Sequence, residues 1–155
     1  DRLLHGVYWL KLLETAVVPE QPAPDLFLIS LRALAHLNYS DLPPELLTMA
    51  FEMHLMAQLG FAPRMDECGI CGRRIDGDAR FDAGLGGAVC LSCPSSAPFI
   101  SNGARRILMK LPRTGYDKVA LLDGHPDWPE AARLYRTYVN RRLRQEKFAP
   151  PLAAE

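Results

Sequence analysis

The residues best equipped for chemistry in this chain are its four cysteines, and they come as two pairs. Cys68-Gly69-Ile70-Cys71-Gly72 is followed, after the intervening residues 72–89, by Cys90-Leu91-Ser92-Cys93-Pro94. Two residues between thiols let a tight turn aim both sulfurs at one ion, with peptide N–H groups of the turn directed at those sulfurs. Two such turns face to face make the closed tetrahedral shell of a structural zinc site, with Cys68, Cys71, Cys90 and Cys93 as ligands. Gly69 and Gly72 are expected to supply backbone conformations that a Cβ penalises. The same four-thiolate shell suits iron, so the spacing leaves zinc and iron open. A catalytic zinc is not expected, because four thiolates leave no position for water. Disulfides suit small secreted domains without a proper core, whereas this chain is rich in apolar helix. A redox Cys-x-x-Cys more often stands alone, opening a helix after a strand.

Other chemistry is harder to place. The chain has no Walker-type glycine-rich loop, no His-Glu-x-x-His and no Gly-x-Ser-x-Gly. His5, His36, His54 and His125 are scattered and read as surface or satisfied core histidines rather than catalytic bases. Asp66-Glu67 reads as solubilising charge in a loop beside the first cysteine turn. Taken together these features point away from an enzyme. Arg64, Arg73, Arg74 and Arg80 surround the cysteines, where they would offset the negative charge of a zinc held by four thiolates. Net charge is zero, but residues 1–100 hold 7 Lys/Arg against 12 Asp/Glu, and residues 101–155 hold 11 against 6. A basic second half fits nucleic acid, and an ordinary solvated helix face explains it equally well.

The elements that must position these groups are mostly helical. At 155 residues, 48% hydrophobic and 23% charged, the chain suits one globular domain with a core of ordinary size. No apolar run is long enough to span a bilayer and no signal-peptide pattern opens the chain, so no membrane is expected. Reduced thiols as metal ligands point to the cytoplasm. Residues 3–16 read as a helix with apolar positions around most of its circumference, buried on more than one side. Asp25 is a candidate N-cap for a second helix over Leu26–Leu37, the expected centre of the bundle. Pro44 suits the first turn of a third helix that stops near Leu59 at Gly60. Met49, Met53 and Met56 share a face of that helix, either as adaptable core filler or as a groove for a partner peptide. Short strands over Ala79–Ala83 and Ala88–Val89 would form a hairpin that is marginal without its metal. Ser101 caps a helix over Gly103–Leu111 with Arg105, Arg106 and Lys110 outward, and Tyr116–Leu122 is a short helix. Asp127 and Glu130 suggest a capping box for a last helix, about Trp128–Arg144. Its core set is Ala131, Leu134, Tyr135, Tyr138 and Val139. Arg133, Arg136, Arg144 and Lys147 fall on one side of it as a candidate phosphate-contacting stripe.

The expected fold is thus mainly α: a helical bundle with an inserted, short zinc-ribbon-like β-hairpin. One helical domain covers 1–155, with a zinc-binding subdomain inserted at 64–98.

The order of these features resembles the C-terminal helical and zinc-binding region of the RecO recombination-mediator family. Phe27-Leu28-Ile29-Ser30-Leu31-Arg32-Ala33-Leu34 lies in the second helix, and the third ends in Leu59-Gly60-Phe61-Ala62-Pro63. Cys68-x-x-Cys71-Gly72 follows, then a glycine-rich interval with Phe81-Asp82-Ala83-Gly84, then Cys90-x-x-Cys93. A Ser-capped helix and a basic terminal helix complete the likeness. It implies a role in DNA repair and homologous recombination, with single-stranded DNA, the tail of the single-strand-binding protein, and RecR as partners. It also implies Zn2+ on Cys68, Cys71, Cys90 and Cys93, and a bacterial, nucleoid-associated location in the cytoplasm. Members of that family carry an N-terminal OB-fold before this region, so the sequence, opening at Asp1 inside a helical pattern, reads as a piece of a longer protein. The residues alone support a rival reading, a zinc-stapled protein-interaction module with no direct DNA contact.

Overall fold

Three helices open the chain: α1 (Arg2–Ala16), α2 (Pro24–Tyr39) and α3 (Pro44–Gln58). The computed structural model describes residues 1–17 and 20–145, with side chains as far as Arg142. The Asp1 carboxylate caps α1 by accepting the Leu3 N–H at 2.9 Å. Pro24 and Pro44 open the next two helices, where a missing N–H costs nothing. Asp25 is not the cap of α2. It sits in the first turn, where its charge complements the helix dipole. Gly60 ends α3 as expected. At φ +83° its N–H reaches the Ala57 carbonyl, while the Phe61 N–H reaches Met56 O at 2.7 Å.

The central helix is α3 rather than α2. Ten of its residues are buried, from Leu46 to Met56, whereas α2 buries Leu26, Ser30, Ala33 and Leu37. Trp9 stacks on Phe51 with ring centroids 4.7 Å apart and donates its Nε1–H to Thr48 Oγ1 at 3.0 Å. Met49, Met53 and Met56 are all buried, so the methionine stripe is core and offers no groove. The expectation that α1 is buried on several sides also fails. His5, Tyr8, Trp9 and Leu12 are buried, Leu13 and Ala16 pack beside them on the same side, and Leu3, Val7 and Leu10 remain exposed. Helices α1 and α2 flank α3 from outside, so each has a single inner face.

The segment between α3 and the next helix carries a three-stranded antiparallel sheet in the order β2-β1-β3. Strands β1 (Ala79–Asp82) and β2 (Gly87–Val89) are the expected hairpin, with Phe81 opposite Ala88. Strand β3 (Phe99–Ile100) was not expected, because two residues carry no readable alternation. Its Ile100 is fully buried and pairs with Ala79.

Helix α4 (Asn102–Lys110) follows, capped by Ser101, whose hydroxyl accepts the Ala104 N–H. A 3-10 turn (Leu111–Arg113), α5 (Tyr116–Val119), a second 3-10 turn (Ala120–Leu122) and α6 (Trp128–Gln145) complete the order. Glu130 does not fold back as a capping box. Its carboxylate accepts the Ser101 N–H at 2.9 Å and the Ser101 hydroxyl at 2.6 Å, binding the start of α6 to the start of α4. The inner face of α6 is the expected one, Ala131, Leu134, Tyr135, Tyr138 and Val139. Among the described residues, no helix is long and apolar enough to cross a membrane.

Candidate metal centre

The turn after α3 lays Arg64 alongside β2. Arg64 N–H donates to Gly86 O at 3.0 Å, and Ala88 N–H donates to Arg64 O at 2.8 Å. Backbone meets backbone so closely there that a Cβ on Gly87 would sit 2.3 Å from the Arg64 carbonyl oxygen. This pairing delivers Cys68 to the sheet, where the Gly69 N–H reaches Ala88 O at 2.9 Å. The first cysteine turn closes through Cys68 N–H to Arg73 O and Gly72 N–H to Cys68 O. Gly72 has φ +71° and needs its missing Cβ. Gly69 does not: its φ is ordinary and a Cβ would meet only normal contacts.

The four sulfurs gather within 4.8 Å of one another. Cys68 and Cys93 lie 3.9 Å apart, and Cys71 and Cys90 3.8 Å. A metal at about 2.3 Å from each sulfur of a tetrahedron requires edges of about 3.8 Å, so the cluster fits a four-thiolate shell. All four cysteines are free, at separations far beyond an S–S bond. The Cys68 sulfur accepts the Ile70 N–H at 3.4 Å and the Cys90 N–H at 3.3 Å. Burial opposes ionisation of Cys68, but the peptide N–H groups of Cys71, Cys90 and Ile70 outweigh it and bring the thiol down to about 6. Arg73 beside Cys71 lowers that thiol too. Shared hydrogen bonds with Cys90 and Cys71 push Cys93 up to about 12. Four thiolates this close repel one another, and a cation among them removes the conflict. The four cysteines can therefore hold a metal ion, in a shell with no opening for a substrate.

Of the four flanking arginines, Arg73 alone acts on a sulfur. Arg64 pairs with Glu67 at 3.0 Å, Arg74 with Asp76 at 3.3 Å, and Arg80 donates to Ala97 O at 3.1 Å.

An arginine expected on the surface performs the anchoring instead. Arg105 of α4 is only 3% exposed. Its Nε–H donates to Gly77 O at 2.9 Å, Nη1 to Met65 O, and Nη2 to Asn102 Oδ1 at 2.9 Å. The Asp78 carboxylate accepts the Asn102 N–H at 2.8 Å. On the other side, the Tyr138 hydroxyl of α6 donates to Phe61 O, and the Phe81 ring meets Tyr138 edge-on at 5.9 Å. Helical periodicity alone does not reveal Arg105, because its partners are loop carbonyls.

The basic stripe of α6 is described only in part. Arg133 and Arg136 are exposed, while the Arg144 side chain and Lys147 lie outside the described residues. Arg136 also rims a cavity of about 380 Å³ with Glu45, Glu52 and Tyr8. A second group of cations, Arg64, Arg106, Lys110, Arg113 and Lys118, lines two clefts beside α4 and α5. The positive balance of residues 101–155 is the sequence signal for all of them except Arg64. The histidines are structural. His5 Nδ1 meets Thr48 Oγ1 at 2.6 Å, His54 donates to Thr114 O at 2.7 Å, His36 stacks on Tyr116, and His125 accepts the Asp127 N–H.

Comparison with known proteins agrees with this arrangement. A family model described as "Recombination protein O C terminal" matches residues 1–149. A DNA repair protein RecO of Syntrophomonas wolfei is 29% identical over 123 residues, which is 79% of this chain and 48% of that protein. One from Desulfitobacterium hafniense is 31% identical over 118 residues, 72% of this chain and 42% of its own length. One from Anaeromyxobacter sp. is 31% identical over 156 residues, 95% of this chain and 61% of its own. The chain spans about half the length of the curated relatives it matches.

Proposed function

The chain belongs to the RecO family, matched over that family's C-terminal region, and on this premise we propose that it serves DNA repair and homologous recombination by binding single-stranded DNA. Its protein partners in that role are the single-strand-binding protein, through its tail, and RecR. Residues 64–98 act as an inserted unit in which Cys68, Cys71, Cys90 and Cys93 hold one structural Zn2+. The ion supplies no reaction step; it fixes the hairpin against α4 and α6, and the protein is not an enzyme. The observation that carries this reading is the family match over residues 1–149.

The test is fluorescence anisotropy of a labelled oligonucleotide titrated with the chain at several salt concentrations. Binding should weaken with salt by a log–log slope of about 0.7 for each phosphate neutralised. No binding even at low salt overturns the strand-binding reading. A protein-interaction module without DNA contact then takes its place. The apolar side chains that α1 and α2 leave exposed, Leu3, Val7, Leu10, Phe27 and Leu31, favour that second reading. It requires a complex with the tail peptide of the single-strand-binding protein at concentrations on the order of tens of micromolar.

A further inference from the structure

We propose that the chain holds the phosphodiester backbone of a single strand in the paired clefts beside α4 and α5, and not on the outer face of α6. This rests on the strand-binding reading above and adds to it a surface and a mode of contact. The larger cleft, about 1000 Å³, is lined by Arg64, Lys110, Arg113 and Lys118. The smaller, about 600 Å³, is lined by Arg106, Lys110 and Lys118. Lys110, Thr114 and Lys118 border both, so the two clefts lie side by side along one basic path.

Cations outnumber carboxylates along this lining, and most of them stand outside any ion pair. Among the described residues, Arg106, Lys110, Arg113 and Lys118 form no ion pair within 4.0 Å, and only Arg64 has a partner, Glu67. Three carboxylates share the clefts with these cations, Asp66 and Asp117 in the larger and Asp127 in the smaller. Asp127 packs against the first turn of α4, where a Cβ on Gly103 would lie 2.0 Å from its oxygen. Asp117 sits over Gly115 at the start of α5 in the same way, 2.6 Å from such a Cβ.

A concave surface with an excess of one sign, walled by low-dielectric protein, concentrates the field in a way that a convex helix face does not. On α6, Arg136 shares its cleft with the exposed Glu45 carboxylate, which cancels part of its field. No Phe, Tyr or Trp lines the paired clefts; His125 is on the smaller one, and the apolar contribution is aliphatic, including Met109 in one and Leu121 in the other. Bases therefore find no large aromatic platform, and contact should follow the backbone without sequence preference.

The test compares two pairs of substitutions in the same anisotropy titration, using labelled oligo-dT and labelled oligo-dA as probes. Lys110→Gln with Lys118→Gln should lower the salt slope by about 1.4, at 0.7 per phosphate contact, for both probes alike. Lys110→Arg with Lys118→Arg should restore it. Arg133→Gln with Arg136→Gln should leave it unchanged. All four side chains are exposed, so circular dichroism should match the unsubstituted chain in every case. If the α6 pair lowers the slope and the cleft pair does not, the chain binds DNA and the clefts are the wrong surface. If the cleft pair abolishes binding of an oligoglutamate probe but not of the oligonucleotides, the clefts take an acidic peptide and the proposal is overturned. Failure of the unsubstituted chain to bind either oligonucleotide removes the strand-binding reading itself, and this surface with it.

Discussion

The bundle around α3 and the segment around the cysteines are held in place by different means. The bundle buries large apolar side chains: Trp9, Leu47, Phe51 and Met53 are each at most 1% exposed. Residues 64–100 bury fewer, with Met65, Phe81 and Ile100 the largest, and their strands are four, three and two residues long. Sheets this short are marginal on their own. What the segment lacks in core it makes up with four sulfurs, one buried guanidinium and a dense set of turn hydrogen bonds. The two regions should therefore fail separately: one by losing its metal, the other by losing its packing.

The largest expected effect comes from removing the metal ligands. Cys68→Ser, or a strong chelator, should melt the sheet, because apparent binding energies of structural zinc run to about 10–16 kcal/mol. Hydrogen exchange should rise at the amides of Phe81 and Ala88 while those of α3 stay protected. Equal loss of protection in both regions would break the comparison. Next comes Phe51→Ala, which should cost about 4 kcal/mol in denaturant titration through the cavity it leaves under Trp9. Metal content, measured by elemental analysis, should not change.

A third effect belongs to the bundle alone and depends on pH. Burial holds the Glu52 carboxyl up at about 7, although the Tyr8 hydroxyl donates to it at 2.6 Å and Arg136 lies near. In the unfolded chain it should ionise near its ordinary value of 4.5. Between those values the unfolded state binds fewer protons, so stability should fall as pH rises, by about 3 kcal/mol once pH 7 is passed. Below 4.5 both states are protonated and this group contributes no slope. Glu52→Gln keeps an acceptor for Tyr8 and should flatten the profile. A slope that survives the substitution would assign the pH dependence to other groups. The smallest effect sharpens the boundary between the regions. Arg105→Met should cost about 2 kcal/mol, since the carbonyls of Gly77 and Met65 lose their donor. Zinc affinity should fall only modestly. A large fall would mean that the anchor shapes the cysteine turns.

Much of this molecule was legible because its signals are local. The cysteine spacing, the Gly60 stop, the Ser101 cap and the inner face of α6 each follow from a few neighbouring residues, and each is found in place. Several misreadings share one cause. Arg105, Glu130 and the exposed faces of α1 and α2 depend on what lies across from them, and periodicity within one helix does not encode that. The same holds for the centre of the bundle. Helices α2 and α3 are both rich in apolar residues, and only their packing order shows that α3 is enclosed. The paired clefts were hidden because their cations come from separate elements.

Gly87 has a consequence for how such a chain can drift over generations. At 29% identity to its Syntrophomonas wolfei relative, most positions have been free to change. Position 87 is not, since any larger residue would force the Arg64 carbonyl away from β2 and with it the approach of Cys68 to the other sulfurs. Selection for the cysteine cluster should thus fall also on a residue that supplies none of its sulfurs. In an alignment of relatives that retain the four cysteines, this glycine should vary as little as the cysteines do. Lineages that have lost the cysteines should be the ones where it is released.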